Sequence, residues 1–147
     1  MAAVRVSIVI DAPPDEVWAA IEDIPTHVEW MADADEIRIT STQHRGVGTT
    51  FECDTRIGPV RLTDVMEITE WEPARAMGVR HSGIVTGAGR FTLDAVEADR
   101  TEFTWDEELR FPWYLGGSVG AIAAQPVLRR VWRGNLERLR RRVEAAG

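Results

Sequence analysis

Lysine is absent from this 147-residue chain, and all 17 basic side chains are arginine. That excludes a lysine Schiff base and any phosphate loop built on a lysine. Cysteine is almost absent too. Cys53 stands alone, which rules out an intrachain disulfide and a multi-cysteine zinc site. Long apolar runs are missing. The longest, Val119–Ala124, falls far short of the roughly 20 residues a membrane-spanning helix needs, so stable membrane insertion is not expected. The opening residues, MAAVRVSIVIDAPP, lack a charged stretch followed by an apolar core. No secretory signal is read there, and a cytoplasmic location is the expectation.

The composition is that of an ordinary globular chain, with 44% hydrophobic and 28% charged residues. The net charge of −7 argues against nucleic acid as a partner. It is unevenly distributed: residues 1–125 carry ten Arg against 22 acids, and residues 126–147 carry seven Arg against two. An acidic body is expected to hold a basic C-terminal segment. With no linker, repeat or low-complexity tract, residues 1–147 read as a single domain.

Periodicity divides the chain into three stretches. Val4, Val6, Ile8 and Ile10 alternate with Arg5, Ser7 and Val9, the pattern of a strand with one buried face. Asp11-Ala12-Pro13-Pro14 ends it and opens a helix carrying Val17, Trp18 and Ile21, with Asp15 and Glu16 in the first turn. Pro25 breaks that helix, and a second short one is expected to carry Val28, Trp30 and Met31.

From Glu36 to Arg110 the period is two. Six strands are expected at hairpin spacing, with a glycine-rich turn over Ser82–Gly89. From Ser118 to about Ala145 the period is helical, placing Leu128, Val131, Trp132, Asn135, Leu136, Leu139 and Val143 near one face. Pro126 predicts a kink or a late start to the regular helix. The Arg-rich back of this segment reads as solvated, supported by a Glu137–Arg141 pair.

Several short stretches carry a family likeness. They are Ser7–Trp18, Ile24-Pro25, Glu29-Trp30, Glu70–Arg75, Gly89–Leu93 and Thr101–Trp105. On these residues the whole chain resembles the START/Bet v 1-like (SRPBCC) superfamily, in its polyketide cyclase/dehydrase-like branch. The resemblance implies an α+β helix-grip fold. A curved antiparallel sheet of about seven strands wraps a long C-terminal helix, with two short helices after strand 1. It also implies an apolar cavity between sheet and helix, and therefore a small hydrophobic or amphipathic ligand that is lipid-, polyketide- or quinone-like. The branch has no catalytic signature to carry over.

Strand parity puts three polar residues, Asp64, His81 and Glu107, on faces otherwise made of core residues. Buried polar groups need partners. In a cavity these three are candidate acid/base residues; as structural groups, they would be paired with an Arg such as Arg61 or Arg90. Trp30, Phe51, Met66, Phe91 and Trp105 are candidate ligand contacts on the concave side. Phe111, Trp113 and Tyr114 lie in a turn-rich connection before the long helix, where they read as a lid, a rim or a dimer contact.

Other motifs fail. Gly46-Val47-Gly48 and Gly87-Ala88-Gly89 precede strand patterns rather than helices, which removes a dinucleotide role. His27, His44 and His81 lack ligand spacing, and Asp33, Asp35 and Glu36 lack the pattern of a calcium loop. No metal or other cofactor is expected. The expected chain is a ligand-binding protein, monomeric or homodimeric. A cyclase/dehydratase-type enzyme and a protein-interaction module are the alternatives.

Overall fold

The computed structural model describes residues 1–147. Strand β1 (Ala2–Ile10) leads into helix α1 (Pro14–Ile21). Pro13 and Pro14 preset the backbone for the first turn of α1 without losing an internal hydrogen bond. A 3-10 helix follows at Ile24–Glu29, with Pro25 in its first turn. Trp30 and Met31 therefore fall just past this second helix rather than within it.

Six strands come next: β2 (Ala34–Ile39), β3 (Thr50–Ile57), β4 (Val60–Glu72), β5 (Ala76–Ser82), β6 (Thr86–Glu97) and β7 (Arg100–Arg110). They pair antiparallel in the order β1-β7-β6-β5-β4-β3-β2. Every neighbour except β1 is thus a hairpin partner in sequence. The chain belongs to the α+β helix-grip class, an open curved sheet holding helix α2 (Gly117–Ala146).

Two local expectations change. The turn after β5 is confined to Gly83–Val85, because Gly87 and Gly89 are paired residues of β6. Helix α2 runs unbroken through Pro126 from Gly117, so the late start is not observed. The stabilising pair on its back is Glu137–Arg140, at 2.6 Å, in place of Glu137–Arg141.

One face of α2 is apolar and buried through Ala121, Leu128, Trp132, Leu136, Leu139 and Val143. Asn135 is the polar exception, and it is fully buried. Its Oδ1 accepts from the Ala32 backbone N–H at 2.9 Å, and its Nδ2–H donates to Asp33 Oδ1 at 2.8 Å. Trp132 Nε1–H donates to Asp33 Oδ2 at 3.1 Å, and Arg138 Nε donates to the Trp30 carbonyl at 3.1 Å. These bonds seat the middle of α2 on the segment entering β2. At its ends, Gln125 Oε1 accepts from the Ala3 N–H and Glu144 Oε2 from the Asp11 N–H.

Inside the closed end of the grip, Trp30, Phe91, Phe103, Trp105 and His27 form one aromatic cluster. Phe91–Trp105 meet edge to face at 5.2 Å, and Trp105 stacks on Trp132 at 4.7 Å. His27 donates its ring Nε2–H to the Ile21 carbonyl at 2.7 Å.

Asn135→Ala is expected to lower stability by about 2 kcal/mol in urea unfolding, since it removes the part-buried bond to the Ala32 N–H and a donor to Asp33 and leaves a gap where a fully buried side chain stood. A second expectation concerns His27. Burial pushes its pKa down from 6.5 to about 4, against the opposing Ile21 bond and Asp23 charge. As pH falls below 6.5 the unfolded chain takes up the proton first. The stability His27 contributes is whole above that pH and drains away down to about pH 4, by about 3 kcal/mol. Unfolding His27→Gln at about pH 7 and about pH 4 should show an acid loss smaller by that amount.

Candidate functional site

The open end of the grip is hollow. A cavity of about 250 Å³ lies between the inner face of the sheet and α2, and 16 of its 21 lining residues are hydrophobic. Strand β3 supplies Cys53, Thr55 and Ile57, and β4 supplies Val60, Leu62, Asp64 and Met66. His81 and Val85 come from the β5–β6 hairpin, and Trp105, Glu107 and Leu109 from β7. Helix α2 closes the other side with Ala124, Val127, Leu128 and Trp132, while Met31, Asp33 and Ala34 form the inner end.

Asp64, His81 and Glu107 all line this one cavity, and so does Asp33, which the sequence reading did not select. The pleat accounts for the first three. Asp64 sits two residues before Met66, which is paired with His81 across β4–β5. Glu107 is paired with Gly89 on β6. A Cβ on Gly89 would lie 2.3 Å from Glu107 Oε1, so glycine is what lets the carboxyl lie across that strand. Neither Arg61 nor Arg90 serves as partner: Arg90 pairs with Glu70 on the far face, and Arg61 is exposed.

The polar groups fall into separate bonded groups, Trp105–Glu107–His81, Thr55–Asp64 and Asp33 with Trp132 and Asn135. Glu107 Oε1 accepts from Trp105 Nε1–H at 3.1 Å, and Glu107 Oε2 lies 2.9 Å from His81 Nε2. A carboxylate there fixes the proton on His81 Nε2. His81 Nδ1 is buried and has no partner. Asp64 Oδ2 accepts from Thr55 Oγ1–H at 2.7 Å, leaving Oδ1 without a protein donor. Burial pushes the Asp64 carboxyl above its usual range, with Thr55 and His81 opposing. Burial alone would depress His81; the bond and charge of Glu107, aided by the Asp64 charge, lift it above its ordinary value. Burial also drives the Cys53 thiol up to about 12, so it is a neutral wall group and no nucleophile.

Of the expected ligand contacts, Met66, Trp105 and Phe111 line the cavity. Trp30, Phe51 and Phe91 do not. All three are buried, Phe51 and Phe91 on the inward face that their strand parity requires, but they lie deeper, Trp30 and Phe91 within the aromatic cluster and Phe51 beside a crevice of about 40 Å³ that Phe91 also lines. Trp113 and Tyr114 are outside the cavity as well, 86% and 58% exposed. Phe111 and Leu115, at either end of that short segment, turn in to the wall. The Gly116–Gly120 stretch is tight: a Cβ on Gly120 would sit 2.4 Å from the Leu115 carbonyl oxygen. Asp33 left no trace in the sequence pattern, because it lies between a 3-10 helix and a strand where no period applies.

The model of the polyketide cyclase/dehydrase and lipid-transport family matches residues 1–144. The chain belongs to that family. No curated protein matches it. Among solved structures, TTHA0849 from Thermus thermophilus superposes with a TM-score of 0.80 at 19% identity, covering 99% of both chains. The Zhui aromatase/cyclase from Streptomyces sp. R1128 gives 0.74 at 20% identity, over 97% of this chain and 93% of the other. A START superfamily protein from Mycobacterium smegmatis gives 0.73 at 13% identity, over the full length of both. At such identities the likeness is one of fold. Family membership supports a small hydrophobic ligand or a cyclase role in general terms. No helix is long and apolar enough to cross a membrane.

Glu107→Gln should lower the His81 pKa, because the variant removes the charge that holds the imidazolium. Histidine ring signals followed by NMR through a pH titration check this directly. An unchanged midpoint would show that Glu107 does not control the ring.

Proposed function

We propose that the chain binds a small, largely apolar molecule in the cavity between its curved sheet and α2. The carrying observation is the cavity itself, roomy and mostly apolar, with five polar residues among its lining. An apolar void of about 150 Å³ accommodates one benzene. By that scale, 250 Å³ suits a two-ring aromatic or a medium-length chain. Such a ligand gains by burying its surface against Leu62, Met66, Trp105 and Leu128, at about 25 cal/mol for each Å² removed from water. Lipid-, polyketide- and quinone-like skeletons all meet this description.

A second reading has its own support. Glu107 orients His81 through Nε2 and leaves Nδ1 unpartnered, an arrangement in which a carboxylate positions an imidazole for proton transfer. Asp64, with its raised pKa, stands in the same cavity. The Zhui protein is called an aromatase/cyclase, and an acid/base role of cyclase or dehydratase type for this chain rests on the His81–Glu107 pair.

Native mass spectrometry of the purified protein is expected to show a retained molecule that leaves on denaturation. Medium-chain alcohols and two-ring aromatics should also quench the fluorescence of Trp105 and Trp132. Ala124→Trp, which fills the cavity from the helix side, should weaken that binding at least tenfold while leaving the unfolding midpoint nearly unchanged. Wild-type protein that binds none of these compounds, or a variant that binds them equally well, would overturn the proposal.

A further inference from the structure

The cavity is apolar in its walls but one-sided in its charge. Asp33, Asp64 and Glu107 bring three carboxyl groups to its lining, and His81 brings the single basic group. No arginine lines it, and the chain contains no lysine. Of the strand arginines adjacent in sequence to lining residues, Arg56 and Arg80 are paired with Asp35 and Glu67, and Arg61 and Arg110 are exposed. An anionic head group entering here would meet three carboxyl groups in a low-dielectric pocket, with one imidazole already committed to Glu107.

Two valences in this set are unfilled. Asp33 is satisfied by Trp132 and Asn135, and Glu107 by Trp105 and His81. His81 Nδ1 has no partner, and Asp64 Oδ1 has no protein donor. Asp64 and His81 stand diagonally across β4 and β5, because His81 pairs with Met66 two residues further along. Diagonal neighbours of this kind have Cα atoms about 7–8 Å apart, close enough for both side chains to reach one small group. With the imidazole carrying a proton on both nitrogens, the form that the Glu107 carboxylate favours, a hydroxyl fits both vacancies: its oxygen accepts from His81 Nδ1–H and its proton goes to Asp64 Oδ1. A carboxylate or phosphate has no proton to offer Asp64.

We propose that the cavity selects ligands with an uncharged hydroxyl head group, phenolic or alcoholic, held between His81 and Asp64, and excludes carboxylate and phosphate head groups of the same skeleton. This rests on the binding role proposed above and narrows its ligand. The chain is accordingly not a carrier of free fatty acids. Truncating or replacing Asp64 changes which head group is accepted, while the apolar walls continue to hold the skeleton.

The test uses one skeleton with three heads: 2-naphthol, 2-naphthoate and protonated 2-(aminomethyl)naphthalene, titrated near neutral pH by calorimetry and by tryptophan quenching. Wild-type protein is expected to bind the naphthol at least tenfold more tightly than the naphthoate, and more tightly than the amine. Asp64→Asn should shrink the naphthol-to-naphthoate ratio at least tenfold, and His81→Phe should weaken the naphthol while sparing 2-methylnaphthalene, which has no head group. Naphthoate binding as tightly as naphthol, an unmoved ratio in Asp64→Asn, or the amine binding most tightly would each overturn the head-group assignment while leaving the cavity's binding role intact. If none of the three compounds nor 2-methylnaphthalene binds, it is the binding role that fails, and the assignment falls with it.

Discussion

Asn135 is the one polar side chain on the buried face of α2, and its amide bonds to the segment that carries the chain from the first helices into β2. A buried amide satisfied on both sides specifies position in a way that a leucine cannot, because any slide of the helix would strand its partners. With Trp132 and Arg138 added, three residues within two turns of α2 hold Trp30, Ala32 and Asp33. The inner end of the cavity is made of this same segment, through Met31, Asp33 and Ala34. The helix's seat and the cavity's inner end are therefore one structure.

The sheet contributes a different constraint. Its pleat sends alternate side chains inward along every strand, and the large aromatic ones are concentrated toward one end. Trp30, Phe91, Phe103 and Trp105 fill that end, with Trp132 of α2 stacked on Trp105. Toward the other end the inward side chains are shorter, among them Cys53, Thr55, Leu62 and Val85, and the space between sheet and helix stays open. Trp105 stands at the boundary. One side belongs to the packed cluster, its Nε1–H holds Glu107, and its ring lines the cavity. Core packing and site geometry therefore share a residue, and a change in one reaches the other through Glu107 to His81.

Much of this was readable from alternation. Asp64, His81 and Glu107 were placed on inward faces by counting in twos, and the count survives because the sheet's irregularities lie elsewhere. The bulge in β4 falls between Ile68 and Glu70, beyond Asp64, and that in β6 between Ala95 and Glu97. Depth along the strand was not readable. Parity says which face a side chain takes and is silent on how far along the grip it stands, so Phe51 and Phe91 share a face with the cavity wall without reaching it. Trp30, just past the 3-10 helix, and Trp113 and Tyr114, in the short turn before α2, lie where no period operates. Nothing local distinguishes an inward aromatic from an outward one there.

By itself the sequence determined the element order, the inward face of each strand, the apolar stripe of α2 and the absence of lysine. All of these follow from local spacing and residue type. Only the tertiary structure decided which inward residues meet. Asp33 comes from a segment after the 3-10 helix, Asp64 from β4, His81 from β5 and Glu107 from β7, and sheet curvature and the seat of α2 bring them to one cavity. The pairing of Glu107 with His81 across the glycine at 89 depends on cross-strand register. Register is set by contacts between segments far apart in the chain, which a reading of neighbouring residues does not contain.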